Sequence, residues 1–451
     1  MEIAKHIFRG YDIRGVYGTD LNEEVAYKIG QGFGSYISEL GKTKAVVGRD
    51  NRIHSESLEN ALIDGILSTG IDVVNIGLVT TPMYYYSWIH LGIPSGMMVT
   101  ASHNSKEYNG FKFAFDETGN AYGEKIQEFR EYIEKGEFKE GKGTLTHTDI
   151  REGYLNLIKE RTNFGDRKLK VVVDGGNGAA TTIMKDVFSM FENLDVTYIC
   201  DESDGTFPNH EADPSNPKNL TMLMDKVLEL KADIGLAFDG DSDRIGIIDE
   251  NGECIAPDMY LIALWRSIID KVENKCVLHD VKCTKAIADE MKKLGGSVCK
   301  YRVGNSYIKA KMRDGDFALG GELSGHIFFR DRWPGFDDAI YAGLRYIELL
   351  SNNNKSASEL LEGVTKYYST PEIRIKTTET GKYELVEKVK AYAKAKGYET
   401  CDIDGIRVEF DDAWMLLRAT QTGPEAGMRF EATTEERLKE IMDEFRGVIS
   451  F

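Results

Sequence analysis

The chain has no Cys-x-x-Cys pair. Its six cysteines, Cys200, Cys254, Cys276, Cys283, Cys299 and Cys401, are scattered. That spacing argues against a zinc knuckle or a disulfide framework and predicts reduced thiols in packed positions. Positive charge is also scarce: 56 Lys and Arg face 74 Asp and Glu, a net charge of −18. This sign repels phosphate backbones and anionic lipid surfaces, so neither nucleic acid nor a membrane is an expected partner. The amino terminus has no basic region leading into an apolar run, so no secretory signal is visible and a cytoplasmic location is expected. Residues 73–105 contain no Asp, Glu, Lys or Arg, yet Asn75, Pro82, His90, Pro94 and several glycines break the stretch as a membrane span. With 9 prolines beside 45 glycines and 41% hydrophobic residues, the composition is neither fibrous nor disordered.

What is present is enough chain, 451 residues, for roughly three domains of about 150 residues each. Short β-branched runs alternate with longer helical patterns: strand 44–47, helix 56–68, strands 73–76 and 97–100. This alternation predicts βαβ units and parallel or mixed sheets. It restarts after a charged, glycine-rich stretch at 136–143, with strand 169–173 and helix 181–191, placing a boundary near residue 148. A further restart follows strand 245–248, with helix 259–271, strand 276–279 and helix 284–294, and sets a boundary near residue 254. Beyond the polar run 351–358 the pattern changes to segment 373–377, helix 382–396 and strands 406–410 and 414–418, a small α+β block.

The most informative stretch is Asp239-Gly240-Asp241-Ser242-Asp243-Arg244, set between apolar runs. Carboxylates at alternate positions of a tight loop converge on one hard cation, because magnesium and calcium require oxygen ligands. An EF-hand is the rival, since Glu250 falls at the twelfth position from Asp239; but the sixth position, which needs glycine, is Arg244, and the flanks read as strands. Thr100-Ala101-Ser102-His103-Asn104-Ser105 ends another strand. Ser102 is a candidate nucleophile, but alternation along a strand predicts that His103 points away from it. Lys112, a little downstream, offers a cation for developing charge. Three further clusters admit two readings each. Arg9, Tyr11 and Arg14 among glycines suit either phosphate recognition or a structural ion pair. Glu322 and Ser324 suit either sugar hydroxyls or a plain turn. Arg418-Ala419-Thr420-Gln421-Thr422-Gly423-Pro424 suits either an anion cradle or a polar turn. The turn Asp174-Gly175-Gly176-Asn177-Gly178 lacks the dinucleotide spacing and reads as a tight strand-to-helix connection.

Taken together these segments resemble the α-D-phosphohexomutase family, most closely its bacterial phosphomannomutase/phosphoglucomutase branch. The resemblance runs nearly end to end and includes Asp280-Val281-Lys282-Cys283-Thr284, Gly320-Gly321-Glu322-Leu323-Ser324-Gly325-His326 and Gly335-Phe336-Asp337-Asp338. It implies an α/β fold of four domains around a central cleft, three related mixed α/β domains and a smaller α+β domain at the C-terminus. Their bounds are expected at 1–148 with the phosphoserine loop, 149–254 with the metal loop, 255–366 with the sugar-binding loop, and 367–451 with a phosphate-binding loop. It further implies reversible exchange of hexose 1-phosphate and 6-phosphate through phosphorylated Ser102 and a hexose 1,6-bisphosphate. Asp239, Asp241, Asp243 and Ser102 would hold Mg2+. His103, Lys112 and Arg14 would serve catalysis, while Tyr11, Arg244, Lys282, Glu322, Ser324, His326, Arg418, Thr420, Gln421 and Thr422 would bind the substrate. Sugar phosphates are the expected partners, and the oligomeric state is left open.

Three departures qualify the resemblance. Thr420-Gln421-Thr422-Gly423-Pro424 stands where the family usually has Ser-Asn-Thr-Glu-Pro, Asn305 stands where this branch commonly has His, and Pro334 precedes the Gly335 loop. A phosphoglucosamine mutase shares most of the loops, a Mg-dependent sugar phosphatase would pass the phosphoryl group to water, and a calcium-binding protein would need no Ser102 chemistry. The distal cradle argues against hydrolysis, which gains nothing from holding a second phosphate.

Overall fold

The uncharged stretch 73–105 becomes two strands and the helix between them. Strand Asp72–Leu78 leads to helix Thr81–Leu91 and then to strand Gly96–Val99, whose four residues are all buried. Thr80 caps the helix by accepting from the Met83 amide, Pro82 fits the first turn, and Gly92 ends it at φ 65°. The computed structural model describes residues 3–420 and 423–451. The chain divides into two compact units, Met1–Pro257 with Ser324–Leu360, and Asp258–Leu323 with Leu361–Phe451.

In the first unit, one six-stranded sheet has the order Ile13–Val16, Tyr108–Ala114, Gly96–Val99, Lys44–Arg49, Asp72–Leu78, Leu145–His147. The first three strands pair antiparallel and the remaining pairings are parallel. Helices Glu23–Glu39 and Ser55–Leu67 bury Phe33, Leu58 and Leu62 in its core. Because strands Lys44–Arg49 and Gly96–Val99 run parallel, their carboxyl ends deliver Asp50, Arg52, Thr100 and Ser102 to the same edge. The second sheet has the order Cys254–Ile255, Ile245–Ile248, Ile234–Phe238, Leu169–Asp174, Leu194–Ile199. Its last three strands are parallel, so Asp174, Cys200 and Asp239 all lie at carboxyl ends. Helix Ala339–Ser351, capped by the Asp338 side chain on the Tyr341 amide, packs on strands Ile234–Phe238 and Ile245–Ile248.

The helix expected over 181–191 is shorter than its pattern. A 3-10 turn, Ala179–Thr182, precedes helix Met184–Ser189. The hydroxyls of Thr181 and Thr182 donate to the Gly178 and Ala179 carbonyls, local bonds that compete with regular helix.

In the second unit, strand Cys276–Asp280 pairs in parallel with Ser297–Tyr301 and Leu319–Gly321. Strands Glu399–Cys401, Ile406–Glu409, Ala413–Ala419 and Glu425–Ala432 form an antiparallel sheet, which Tyr368–Ser369 and Ile373–Lys376 extend. Val386 and Val389 of helix Gly381–Lys396 and Phe445 of helix Glu435–Arg446 join its core. The guanidinium of Arg407, fully buried, stacks 3.8 Å from the Trp414 ring and donates to the carbonyls of Val281 (2.6 Å) and Cys283 (2.8 Å). Among the described residues no helix is long and apolar enough to cross a membrane.

Candidate active site

Ser102 sits in the loop that joins the antiparallel strands Gly96–Val99 and Tyr108–Ala114, and it is only 2% exposed. Its φ is +51°, a left-handed conformation that turns the chain out of strand geometry. This corrects the expectation that His103 points away. Alternation holds only in a strand; here the turn brings His103 Nδ1 to 3.2 Å from Ser102 Oγ. Burial, followed by the nearby charges of Arg244 and Arg14, pushes the His103 pKa well below its usual value, so the ring is neutral. The loop is held from below by Arg52, a residue the sequence reading did not single out. Its Nη2 donates to the Ser102 and Asn104 carbonyls at 2.6 Å each, and its Nη1 donates to Ser105 (2.8 Å) and Tyr108 (3.1 Å).

Ser102 Oγ donates to Asp239 Oδ2 at 2.8 Å, joining the serine loop to the carboxylate loop. Asp239 Oδ1 accepts from the amides of Asp243 (3.0 Å) and Arg244 (3.1 Å), which closes the turn on itself. Ser242 takes φ +67° within it. Gly240 is required by close approach: a Cβ there would stand 2.4 Å from the Ser102 carbonyl oxygen. Asp241 Oδ2 accepts from the hydroxyls of Thr81 (2.6 Å) and Thr100 (3.2 Å). Lys112 Nζ lies 2.7 Å from Asp241 Oδ2 and 2.5 Å from Asp243 Oδ2.

Asp239, Asp241 and Asp243 are all 0% exposed and present ligand oxygens within 4.8 Å of one another. Such crowding must be neutralised. Burial and repulsion from its two neighbours push Asp239 well above the usual carboxylate range. Burial acts on Asp241 in the same direction, but Lys112 outweighs it and holds that carboxyl below the range. Asp241 Oδ1 and Asp243 Oδ1 are buried without a hydrogen-bond partner. Hard oxygen donors with orphaned lone pairs are the donor set of a divalent cation such as magnesium or calcium.

Arg14 and Arg244 reach the same region. Arg14 makes the ion pair that was one of its two readings, Nη2 to Asp12 Oδ2 at 2.5 Å, and also donates from Nη1 to Asn104 Oδ1 at 2.7 Å. Arg244 Nε donates to His326 Nε2 at 3.0 Å, while His326 Nδ1 lies 3.0 Å from the Asp243 carbonyl and 2.8 Å from Asp337 Oδ2. Because an arginine nitrogen only donates, His326 carries its proton on Nδ1. Both ring nitrogens of His326 are engaged within the protein, and the imidazole orients Arg244. Tyr11 is half-buried ahead of strand Ile13–Val16. Ser324 lies in the same compact unit, at its segment Ser324–Leu360.

The remaining expected residues belong to the second unit. Glu322 Oε1 accepts from the Gly304 amide at 2.6 Å, and Asn305 opens helix Asn305–Asp314 beside it. Lys282 lines a cavity of about 330 Å³ with Leu323, Ser369, Pro371, Glu372 and Arg429. Arg429, also missed from sequence, donates from Nη1 to the Lys282 carbonyl at 2.6 Å. Arg418 pairs with Asp404, 3.0 Å from Nη2 to Oδ2, and Thr420 Oγ1 donates to the Glu425 carbonyl at 3.0 Å. Gln421 and Thr422 lie outside the described residues.

Four successive stretches match the models of the phosphoglucomutase/phosphomannomutase family: 5–140 its α/β/α domain I, 152–252 domain II, 256–368 domain III, and 372–448 its C-terminal domain. The chain belongs to the phosphoglucomutase/phosphomannomutase family. Within that family, the phosphomannomutase/phosphoglucomutase of Pseudomonas aeruginosa is 39% identical over 442 residues, 98% of this chain and 94% of that protein. The phosphoglucomutase of Neisseria meningitidis serogroup A is 39% identical over 451 residues, covering 99% and 97%. The crystal structure of a phosphoglucomutase/phosphomannomutase family protein from Burkholderia thailandensis superposes with a TM-score of 0.92 at 37% identity, covering 99% of this chain and 97% of that one.

Proposed function

We propose that this phosphohexomutase interconverts the 1-phosphate and 6-phosphate of mannose and of glucose, with Ser102 as phosphoryl carrier. The observation that carries the reading is the 2.8 Å contact between Ser102 Oγ and Asp239, which sets a buried hydroxyl at the rim of three carboxylates ringed by cations. Phosphoryl transfer is mainly positioning and charge neutralisation, and this is the equipment it needs. The bond from phosphorus to Ser102 Oγ breaks as one forms to the free hydroxyl oxygen of a hexose monophosphate, giving a hexose 1,6-bisphosphate. The bisphosphate turns over and returns its other phosphate to Ser102. Ser102 Oγ therefore gains a proton when it loses the phosphoryl group and gives one up when it regains it. His103, with Nδ1 3.2 Å from Ser102 Oγ, is the group placed to exchange that proton. Lys112, Arg14 and Arg244 supply positive charge.

The carboxylate donor set fits Mg2+, held by Asp239, Asp241 and Asp243 with the Ser102 oxygen, and such a cation would neutralise charge on the phosphoryl oxygens. Glu322 and Ser324 would grip the 3- and 4-hydroxyls, leaving the 2-hydroxyl, where glucose and mannose differ, unread. Tyr11, Lys282, Arg418, Thr420, Gln421 and Thr422 would hold the sugar phosphate and its distal phosphate.

The test is turnover of mannose 1-phosphate, glucose 1-phosphate and glucosamine 1-phosphate, each with Mg2+ and a trace of hexose 1,6-bisphosphate, in the wild type and in Ser102→Ala. Comparable rates on the first two, lost by orders of magnitude in the variant, are expected. A preference for the glucosamine ester would overturn the specificity, and release of free phosphate or activity without Ser102 would overturn the mechanism.

A further inference from the structure

A second cluster of ligand-type side chains lies on the second sheet of the first unit, outside the residues assigned to the reaction. Asp174 ends strand Leu169–Asp174, Cys200 follows strand Leu194–Ile199, and His210 comes from the segment beyond. The parallel pairing of Asp174 with Ile199 brings the first two together although they are distant in sequence. His210 Nε2 lies 3.0 Å from Asp174 Oδ2 and 3.6 Å from Cys200 Sγ, and the three ligand atoms fall within 4.8 Å of one another.

The two spacings to His210 are close to the edges of a tetrahedron around zinc. Bond lengths of about 2.0 Å to nitrogen or oxygen and about 2.3 Å to sulfur place nitrogen about 3.3 Å from oxygen and about 3.6 Å from sulfur. The surroundings are also those of a metal ligand set. His210 Nδ1 contacts the Glu211 carbonyl at 2.9 Å, a bond that fixes the proton there and leaves Nε2 to coordinate. Asp174 Oδ1 is held by the Gly176 amide at 2.8 Å, which aims Oδ2 at the cluster. Asp174 is fully buried and Cys200 is 9% exposed, so the thiol is not a surface accident.

We propose that Asp174, Cys200 and His210 form a binding site for a borderline-soft divalent cation of the zinc class, with its fourth position open to water or another small ligand. The donor set selects the ion: a thiolate and an imidazole suit zinc or cobalt and disfavour magnesium, whereas the Asp239 loop offers only oxygen. Binding releases the Cys200 thiol proton and the proton shared between His210 and Asp174. The site also adjoins the reaction loop through the backbone, since the Gly240 amide donates to the carbonyl of Ala212, two residues past His210, at 3.2 Å.

The test uses cobalt as the probe. Co2+ is titrated into the full chain under reducing conditions, with excess Mg2+ present, and the absorption spectrum is followed. One equivalent should produce the thiolate-to-cobalt charge-transfer band and the visible bands of a tetrahedral ion, and Zn2+ should displace them. Cys200→Ser should lose the charge-transfer band while keeping its far-ultraviolet circular dichroism. His210→Gln serves as a second variant and should weaken cobalt binding by at least tenfold. Absence of the thiolate band in the wild type, or its survival in folded Cys200→Ser, overturns the proposal. Either outcome leaves the reading of Ser102 untouched, because mutase turnover is a separate readout.

Discussion

The Nη2 of Arg52 lies 2.6 Å from the carbonyl oxygen of Ser102, fifty residues away in the chain. With three more carbonyls of the same loop on its two terminal nitrogens, one guanidinium sets the path of the backbone that presents the serine hydroxyl. A lysine at this position has one compact charge and cannot span four acceptors. Arg52→Lys should therefore lower kcat on glucose 1-phosphate by on the order of 100-fold, the scale of a small misplacement of reacting groups. Steady-state kinetics checks this, and a kcat within twofold of wild type would show that the loop holds its shape unaided.

Gly240→Ala should be damaging for a different reason. The new methyl would meet the Ser102 carbonyl at 2.4 Å, so one of the two loops must move. Overpacking of this kind costs about 1–3 kcal/mol. Thermal unfolding should shift down and turnover should fall together.

His326 and Arg244 should act as one unit. The imidazole holds Arg244 Nε at 3.0 Å and is itself anchored by Asp337. In kcat/KM, the double variant His326→Ala with Arg244→Ala should lose less than the sum of the single losses, by about 1 kcal/mol or more. Additive losses would sever the proposed orienting role.

Glu59 makes stability depend on pH. Burial lifts its carboxyl from 4.5 to about 7 despite Arg49 Nε at 3.2 Å. The folded state therefore holds a proton that the unfolded chain releases above pH 4.5. Its stabilising contribution is full below 4.5 and is lost as pH rises to about 7, roughly 3 kcal/mol in all. Denaturant unfolding of Glu59→Gln beside the wild type should show the wild type losing that amount relative to the variant over this range. Parallel pH profiles would refute it.

Much of this architecture was legible because the chemistry-bearing residues are contiguous. The Asp239 loop and the Ser102 loop announce themselves by residue type at short spacing, and the strands Ile234–Phe238 and Ile245–Ile248 by their apolar runs. Arg52 was not legible, since its partners are backbone carbonyls whose positions depend on the parallel pairing of two strands. His103 was misread because strand alternation was applied to a residue that follows a left-handed turn. The acceptor role of His326 likewise exists only once Arg244 and Asp337 are folded around it. The same holds for Asp174, Cys200 and His210, where scattered cysteines suggested reduced thiols in packed positions and sheet pairing brought three ligand types together.

The buried stack of Arg407 on Trp414 has a thermodynamic consequence. Residue 407 lies in the family's C-terminal domain, yet its guanidinium donates to Val281 and Cys283 in domain III. Separating the two would give up both charge-assisted hydrogen bonds and expose the buried Trp414 stack to water, a loss of several kcal/mol. Two sequence domains are thereby bound into a single cooperative folding unit. Calorimetry should resolve one shared melting transition for residues 258–323 and 361–451, and a fragment cut at residue 366 should melt below it or fail to fold.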